Sequence, residues 1–186
     1  MSKPIKYGLF LFVLLGIVAA LLTFVNSFTA PIIAENQLKD VLIELEKFDE
    51  DSTYKDETAK YKLPKGLSSI YLGYVNDELK TVVYLSSTVG YSSGQVNVLT
   101  AIDAKTNKII GTTVTLADKQ TAGIGDQILT HNFQTVDKDA SVYAEIDVSE
   151  LGKSEFNIIS GATVSSKAFL TGVNLAAKHY MENFGE

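Results

Sequence analysis

The sequence predicts an α+β fold, in which a mainly antiparallel twisted sheet is packed by helices and preceded by one transmembrane helix. Three observations predict it. A charge-free apolar run fills residues 8–25, short β-rich runs separated by turn residues begin after Leu63, and apolar side chains recur at helical spacing near the carboxy end. The chain has 186 residues and a mass of 20.2 kDa, room for one domain of ordinary size plus an appended segment. Hydrophobic residues make up 46% of it and mean hydropathy is +0.12, but much of that excess lies before Pro31.

The first element is the apolar run GLFLFVLLGIVAALLTFV. With residues 26–30 it reaches the roughly 20 residues needed to cross hydrocarbon. Lys3 and Lys6 precede it and the segment 35–46 is mostly acidic. The positive-inside bias then leaves the amino terminus in the cytoplasm and the rest of a single-pass chain outside the plasma membrane. The rival reading is a cleaved signal peptide, because Thr29 and Ala30 are small residues near a suitable place. Against it, the run exceeds the usual ~7–15 apolar residues, and Pro31 would stand just after the cut.

Beyond Pro31, which suits a first helical turn, Leu38, Val41, Leu42, Leu45 and Phe48 follow helical spacing and predict a stalk helix. Residues 49–60, DEDSTYKDETAK, have no apolar period and read as a linker. The expected organisation is therefore a cytoplasmic tip and transmembrane anchor over 1–30, a stalk helix and linker over 31–60, and a globular domain over 61–186.

In the globular part SSIYLGYV, then Asn76 and Asp77, then ELKTVVYLSSTV predict one hairpin, since Asn and Asp tolerate a left-handed turn. VNVLTAIDA and KIIGTTVTL predict a second, turning at Lys105, Thr106 and Asn107. Alternation in each arm implies one buried and one partly wet sheet face. Phe169, Val173, Ala176, Ala177 and Tyr180 mark one face of an amphipathic helix that covers the sheet.

A net charge of -6 and a pI near 5.0 argue against a nucleic-acid partner, because neutralising phosphates needs clustered Lys and Arg. The absence of cysteine excludes disulfides, thiolate metal sites, iron-sulfur clusters and a lipidated cysteine. His131 and His179 lie too far apart in sequence to suggest a metal site.

Just before the amphipathic helix comes SGATVSS at 160–166, preceded by the strand-like FNII. A helix start offers unpaired N–H groups and a partial positive charge, a natural seat for phosphate. Gly161 lets a backbone come close, and Lys167 adds a charge in the first turn. The hydroxyls of Ser160, Thr163, Ser165 and Ser166 are candidate donors, or one of them is itself esterified. The plainer alternative is that these residues merely cap the helix.

The sequence resembles the FMN-binding domain of the G subunit of Rnf electron-transport complexes, which is related to the C subunit of sodium-pumping NADH:quinone reductase. The resemblance spans nearly the whole chain and rests on SGATVSS, TAPIIAEN at 29–36, VGYSSGQVNVLTAID at 89–103 and KQTAGIGDQI at 119–128, in matching order and spacing. It implies that residues 61–186 are an FMN-binding domain, with FMN joined through its phosphate to Thr163. A separate flavin transferase using FAD and magnesium is implied, because a threonine hydroxyl is too weakly acidic to react unaided. It also implies that Ser160, Gly161, Ala162, Val164, Ser165 and Lys167 surround the phosphate, and that Thr121, Ala122, Gly123, Ile124 and Gly125 lie against the flavin.

Tyr91 is a further candidate for packing beside the ring, although a strand tyrosine is more often core. Two positions depart from the family pattern. Asn157 stands where an aspartate is usual, and Ala122 replaces a proline. Asp103 and Asp126 read as a turn residue and a solvated or capping carboxylate.

The implied role is an electron-carrying subunit of an ion-translocating ferredoxin:NAD oxidoreductase, partnered by the other membrane and redox subunits and by the transferase. The resemblance leaves two alternatives, a free-standing anchored flavoprotein and a non-redox anchored binding module.

Overall fold

The computed structural model describes residues 3–131, 133–145 and 158–185. The chain divides into two compact units, residues 1–43 and 44–186. Helix α1, Lys3–Phe48, begins in the first unit and ends in the second. It is continuous through Pro31, so that proline lies in a helix interior and not in the first turn of a separate stalk. A proline there removes one backbone hydrogen bond, a loss that a long helix with intact turns on both sides absorbs.

Within the first unit, Ile5–Thr29 is a candidate membrane span with a mean hydropathy of 2.8 and every side chain exposed. So much bare apolar surface is unfavourable in water and favourable in lipid. Its serine and threonine hydroxyls turn back onto the helix: Thr23 Oγ1 donates to the Ala19 carbonyl at 2.9 Å, Ser27 Oγ to Phe24 at 2.7 Å and Thr29 Oγ1 to Val25 at 3.0 Å. No polar group is then left unpaired by these side chains, as hydrocarbon requires.

The second unit is built on a five-stranded antiparallel meander, β1 Thr53–Asp56, β2 Leu67–Val75, β3 Glu78–Val89, β4 Gln95–Asp103 and β5 Ile109–Ala117, in that spatial order. Both predicted hairpins are present. The first turns through Asn76 and Asp77 at φ 50° and 65°. In the second, the Asp103 carboxylate accepts from the Lys105 and Thr106 amides at 3.0 and 2.8 Å and so holds the turn.

Two features of this sheet differ from the sequence-based expectation. Residues 49–60 are not simply a linker, because they supply the edge strand β1, paired from Thr53↔Tyr74 to Asp56↔Tyr71. Its pairing rests on the ladder and on Tyr54, whose ring fills the space above Gly73, and neither needs an alternating apolar pattern. Nor is one face left wet near the middle of the sheet, where Val82, Val83 and Tyr84 are consecutively buried. One face packs on helix α3, Thr163–Asn183, through Phe169, Leu170, Val173, Ala176, Ala177 and Tyr180. Phe48, at the end of α1, lies so close to Gly111 that a Cβ there would overlap its ring.

Helix α2, Ala140–Ala144, is capped by Asp139, which accepts from the Ser141 amide at 2.9 Å. Ile158 and Ile159 form no strand; the Ile159 N–H instead donates to Ser166 Oγ at 3.1 Å. Phe156 and Asn157 lie outside the described residues.

Inside the core the Tyr84 hydroxyl meets His179 Nδ1 at 3.1 Å. Burial pushes the Tyr84 phenol up and the imidazole down, the latter partly offset by the nearby Glu182. Neutral His179 and the phenol then share one hydrogen bond, whose direction follows the imidazole tautomer. The unfolded chain takes up a proton near the ordinary histidine value of 6.5 while the folded chain resists it. Stability is therefore full above that pH and declines as pH falls below it. Denaturation midpoints measured from pH 8 to pH 5 should fall, and His179→Gln should flatten that segment of the profile. The Asp139 carboxyl, held below 3.8 by its hydrogen bonds with Ser141, contributes only at more acid pH and so does not confuse the comparison.

Candidate functional site

Three chain segments converge at the amino-terminal end of α3. The first is the helix start itself. Gly161 adopts φ 80°, a conformation glycine takes without strain, and a Cβ there would meet only Ile124 at 3.7 Å. It makes the turn into the helix, and its missing side chain leaves the backbone open to the cleft. Ala162 is the N-cap and no side chain caps the helix, so the capping alternative for the Ser and Thr hydroxyls does not describe this segment. The leading amides of Thr163, Val164 and Ser165 precede the first intrahelical bond, from Ser166 N–H to the Ala162 carbonyl at 2.9 Å.

The second segment is the loop 121–125. The Thr121 carbonyl accepts from the amides of Ile124, Gly125 and Asp126 at 3.1, 2.7 and 3.3 Å, and Gly123 sits at φ 73°. Three donors on one oxygen fold the loop into a tight knuckle that enters the 3-10 turn Gly125–Leu129. The third segment is the turn Tyr91–Ser93 between β3 and β4, with Ser92 and Ser93 at φ 51° and 58°. Tyr91 is thus a turn residue with half its surface exposed, and not a core strand residue.

Together they enclose an open cleft of about 270 Å³. Tyr91, Thr121, Ile124 and Gly125 line one side, and Gly161, Ala162, Thr163, Val164 and Ser165 the other. Ser160, Ala122, Gly123 and Lys167 do not line it; Lys167 lies a full turn further along α3 and is half-buried. None of the nine lining residues is charged, so the positive potential in the cleft is that of the helix end.

The hydroxyls differ sharply in availability. Ser165 Oγ is buried and donates to Gln120 Oε1 at 2.7 Å, and Ser166 Oγ is buried and accepts from Ile159. Thr163 is exposed, lines the cleft and has no hydrogen-bond partner among the described residues. Ser165 is therefore not a free donor to a ligand. Gln120 has no signal in the sequence, because nothing in the spacing of KQTAGIGDQI shows that its amide turns toward Ser165 and Tyr91. Asp103 serves its turn, and Asp126 falls in the first turn of the 3-10 segment, outside the cleft lining.

The profile of the FMN-binding domain matches residues 90–178, a stretch that contains all three segments of the cleft. Over 190 aligned residues the chain is 30% identical to the G subunit of the Na(+)-translocating ferredoxin:NAD(+) oxidoreductase complex of Acetobacterium woodii, covering 94% of this chain and 90% of that protein. The chain belongs to the family of Rnf G subunits. The cleft of this family member suits the phosphate end of a flavin mononucleotide on physical grounds: an uncapped helix start for the anion, a free hydroxyl beside it, and no carboxylate facing it. At about 270 Å³ it lies at the lower edge of the ~300–1,000 Å³ range of ligand pockets, and it is open at its mouth. There Tyr91, Ile124 and Val164 present exposed apolar surface.

Proposed function

We propose that this chain is the electron-carrying G subunit of an Rnf-type ion-translocating ferredoxin:NAD oxidoreductase, with FMN esterified through its phosphate to Thr163. The observation that carries the reading is the Thr163 hydroxyl, exposed and unpartnered among the described residues at an uncapped helix start, while its neighbours Ser165 and Ser166 are buried and committed. The match to a complex subunit over 90% of that protein's length supports the assignment to a complex over a free-standing flavoprotein.

In attachment, Thr163 Oγ1 gives up its proton and bonds to the flavin phosphorus of FAD, and AMP departs as the pyrophosphate bond breaks. A dedicated transferase with magnesium supplies the activation, since no base stands among the cleft residues. Bound FMN supplies one- and two-electron redox chemistry. The amides of Thr163, Val164 and Ser165 hold the phosphate, Gly161 turns the chain into the helix, and Thr121, Ile124, Gly125 and Tyr91 orient the ring system. Ser160, Ala122, Gly123 and Lys167 act from just outside the cleft. Outside the cytoplasm free FMN is scarce, and a tether keeps the cofactor at an effective concentration of about millimolar or more. The span Ile5–Thr29 anchors the domain, and Lys3 and Lys6 favour a cytoplasmic amino terminus.

Intact-mass measurement of the chain produced with and without a flavin transferase tests the reading. The expected gain is one FMN less one water, only with the transferase, together with a fluorescent band after denaturing electrophoresis. An unchanged mass in the transferase-positive sample defeats the covalent assignment.

A further inference from the structure

We propose that Gln120 is a positioning residue of the flavin cleft, a neutral amide clamp that ties the Tyr91 turn and the start of α3 to the loop between them. The proposal rests on the flavin reading above. Gln120 Oε1 accepts from Ser165 Oγ at 2.7 Å and from the Tyr91 backbone N–H at 3.2 Å, while Nε2 donates to the Asp118 carbonyl at 2.6 Å. Chemistry fixes which way the amide faces: a backbone N–H only donates and a carbonyl only accepts, so the flipped amide would lose both backbone bonds. One side chain thereby joins all three segments whose residues line the cleft.

The surroundings are shaped to admit it. A Cβ at Gly90 would stand 2.9 Å from Gln120 Nε2 and 3.0 Å from Oε1, and a Cβ at Gly125 would stand 2.9 Å from Ser165 Oγ and 3.2 Å from Gln120 Cβ. Two glycines from different segments therefore leave the space that the amide and its partner hydroxyl fill. The clamp also determines what Ser165 offers to the cleft. Its proton is held by Gln120, so the phosphate is left to the helix amides and Ser165 serves to lock the helix start against the loop. Tyr91, fixed through its own amide, is held at the cleft mouth.

The test compares full-length wild type, Gln120→Ala and Gln120→Glu, each produced with a flavin transferase. Intact mass reports attachment, and visible circular dichroism and flavin fluorescence anisotropy report how firmly the ring is held. Gln120→Ala is expected to carry the adduct while both optical signals collapse toward those of free FMN. Gln120→Glu retains an acceptor for Ser165 and Tyr91; it is expected to keep much of the anisotropy and to shift the midpoint potential negative, because its charge opposes electron uptake.

Amide hydrogen exchange on protein made without transferase gives a flavin-independent arm, in which Gln120→Ala should speed exchange at Tyr91. Wild-type optical signals and wild-type Tyr91 exchange in Gln120→Ala overturn the clamp. Absence of the adduct from wild type defeats the attachment reading instead, and the exchange arm alone then decides the clamp. If Gln120→Ala fails to fold, Gln120→Glu decides it: an unshifted potential, or exchange at Tyr91 as fast as in the unfolded chain, overturns the proposal.

Discussion

Thr163→Ala is expected to abolish flavin attachment completely while leaving the domain folded. The side chain is exposed and makes no hydrogen bond among the described residues, and the helix it begins is capped by no side chain. Removing its hydroxyl should therefore change stability by no more than about 0.5 kcal/mol, as for surface substitutions away from special features. Thr163→Ser keeps the nucleophilic oxygen and should keep the adduct. Ser165 should not substitute in the alanine variant, because its hydroxyl is buried and bonded to Gln120. Intact mass and thermal melting of the three proteins check this. A full adduct on Thr163→Ala would place the ester elsewhere.

Gly94→Ala should produce the largest loss of stability and disturb the cleft at the same time. Gly94 is buried where the Tyr91 turn re-enters β4, and a Cβ there would overlap the Asp118 carbonyl and approach Lys119 Cβ to 2.9 Å. The obstacle is backbone, pinned by the Asp118 N–H to Gln95 carbonyl bond at 2.8 Å, so no rotamer change relieves it. Overpacking of this kind costs about 1–3 kcal/mol and occasionally more, a large share of the ~5–15 kcal/mol that holds a domain together. The displaced segment leads directly to Gln120 and the loop 121–125, so flavin anisotropy should fall with the melting temperature. Gly123→Ala is the control. Unlike Gly94 it requires a left-handed backbone, at φ 73°, but a Cβ there meets nothing within 4 Å, and the change should cost about 1–2 kcal/mol without moving Gln120. Equal melting temperatures for Gly94→Ala and wild type would contradict the packing argument.

Much of this protein is legible in one dimension where local chemistry repeats. The apolar run predicts the candidate span, the Asn76-Asp77 turn and the alternating arms predict the hairpins, and the spacing from Phe169 to Tyr180 predicts the buried face of α3. The SGATVSS and KQTAGIGDQI segments stand out only through the family resemblance, because glycines and hydroxyls serve equally well as turns and helix caps. Edge strand β1 is invisible by the same logic: a four-residue polar strand shows no period, and only the free edge of β2 gives it a partner. The burial of both faces around Val83 is equally hidden, since it depends on what covers the sheet and not on the strand itself.

The order of elements, the apolar candidate span and the hydroxyl-rich motif can all be read along the chain, because each is a property of sequence neighbours. Which hydroxyl is free cannot be read that way. Thr163, Ser165 and Ser166 are chemically alike in sequence, and they become different when Gln120, 45 residues from Ser165, takes the proton of one and the Ile159 amide takes up a lone pair of another. Hydrogen bonds act over about 3 Å of space regardless of separation along the chain, so availability of a reactive group is settled by folding.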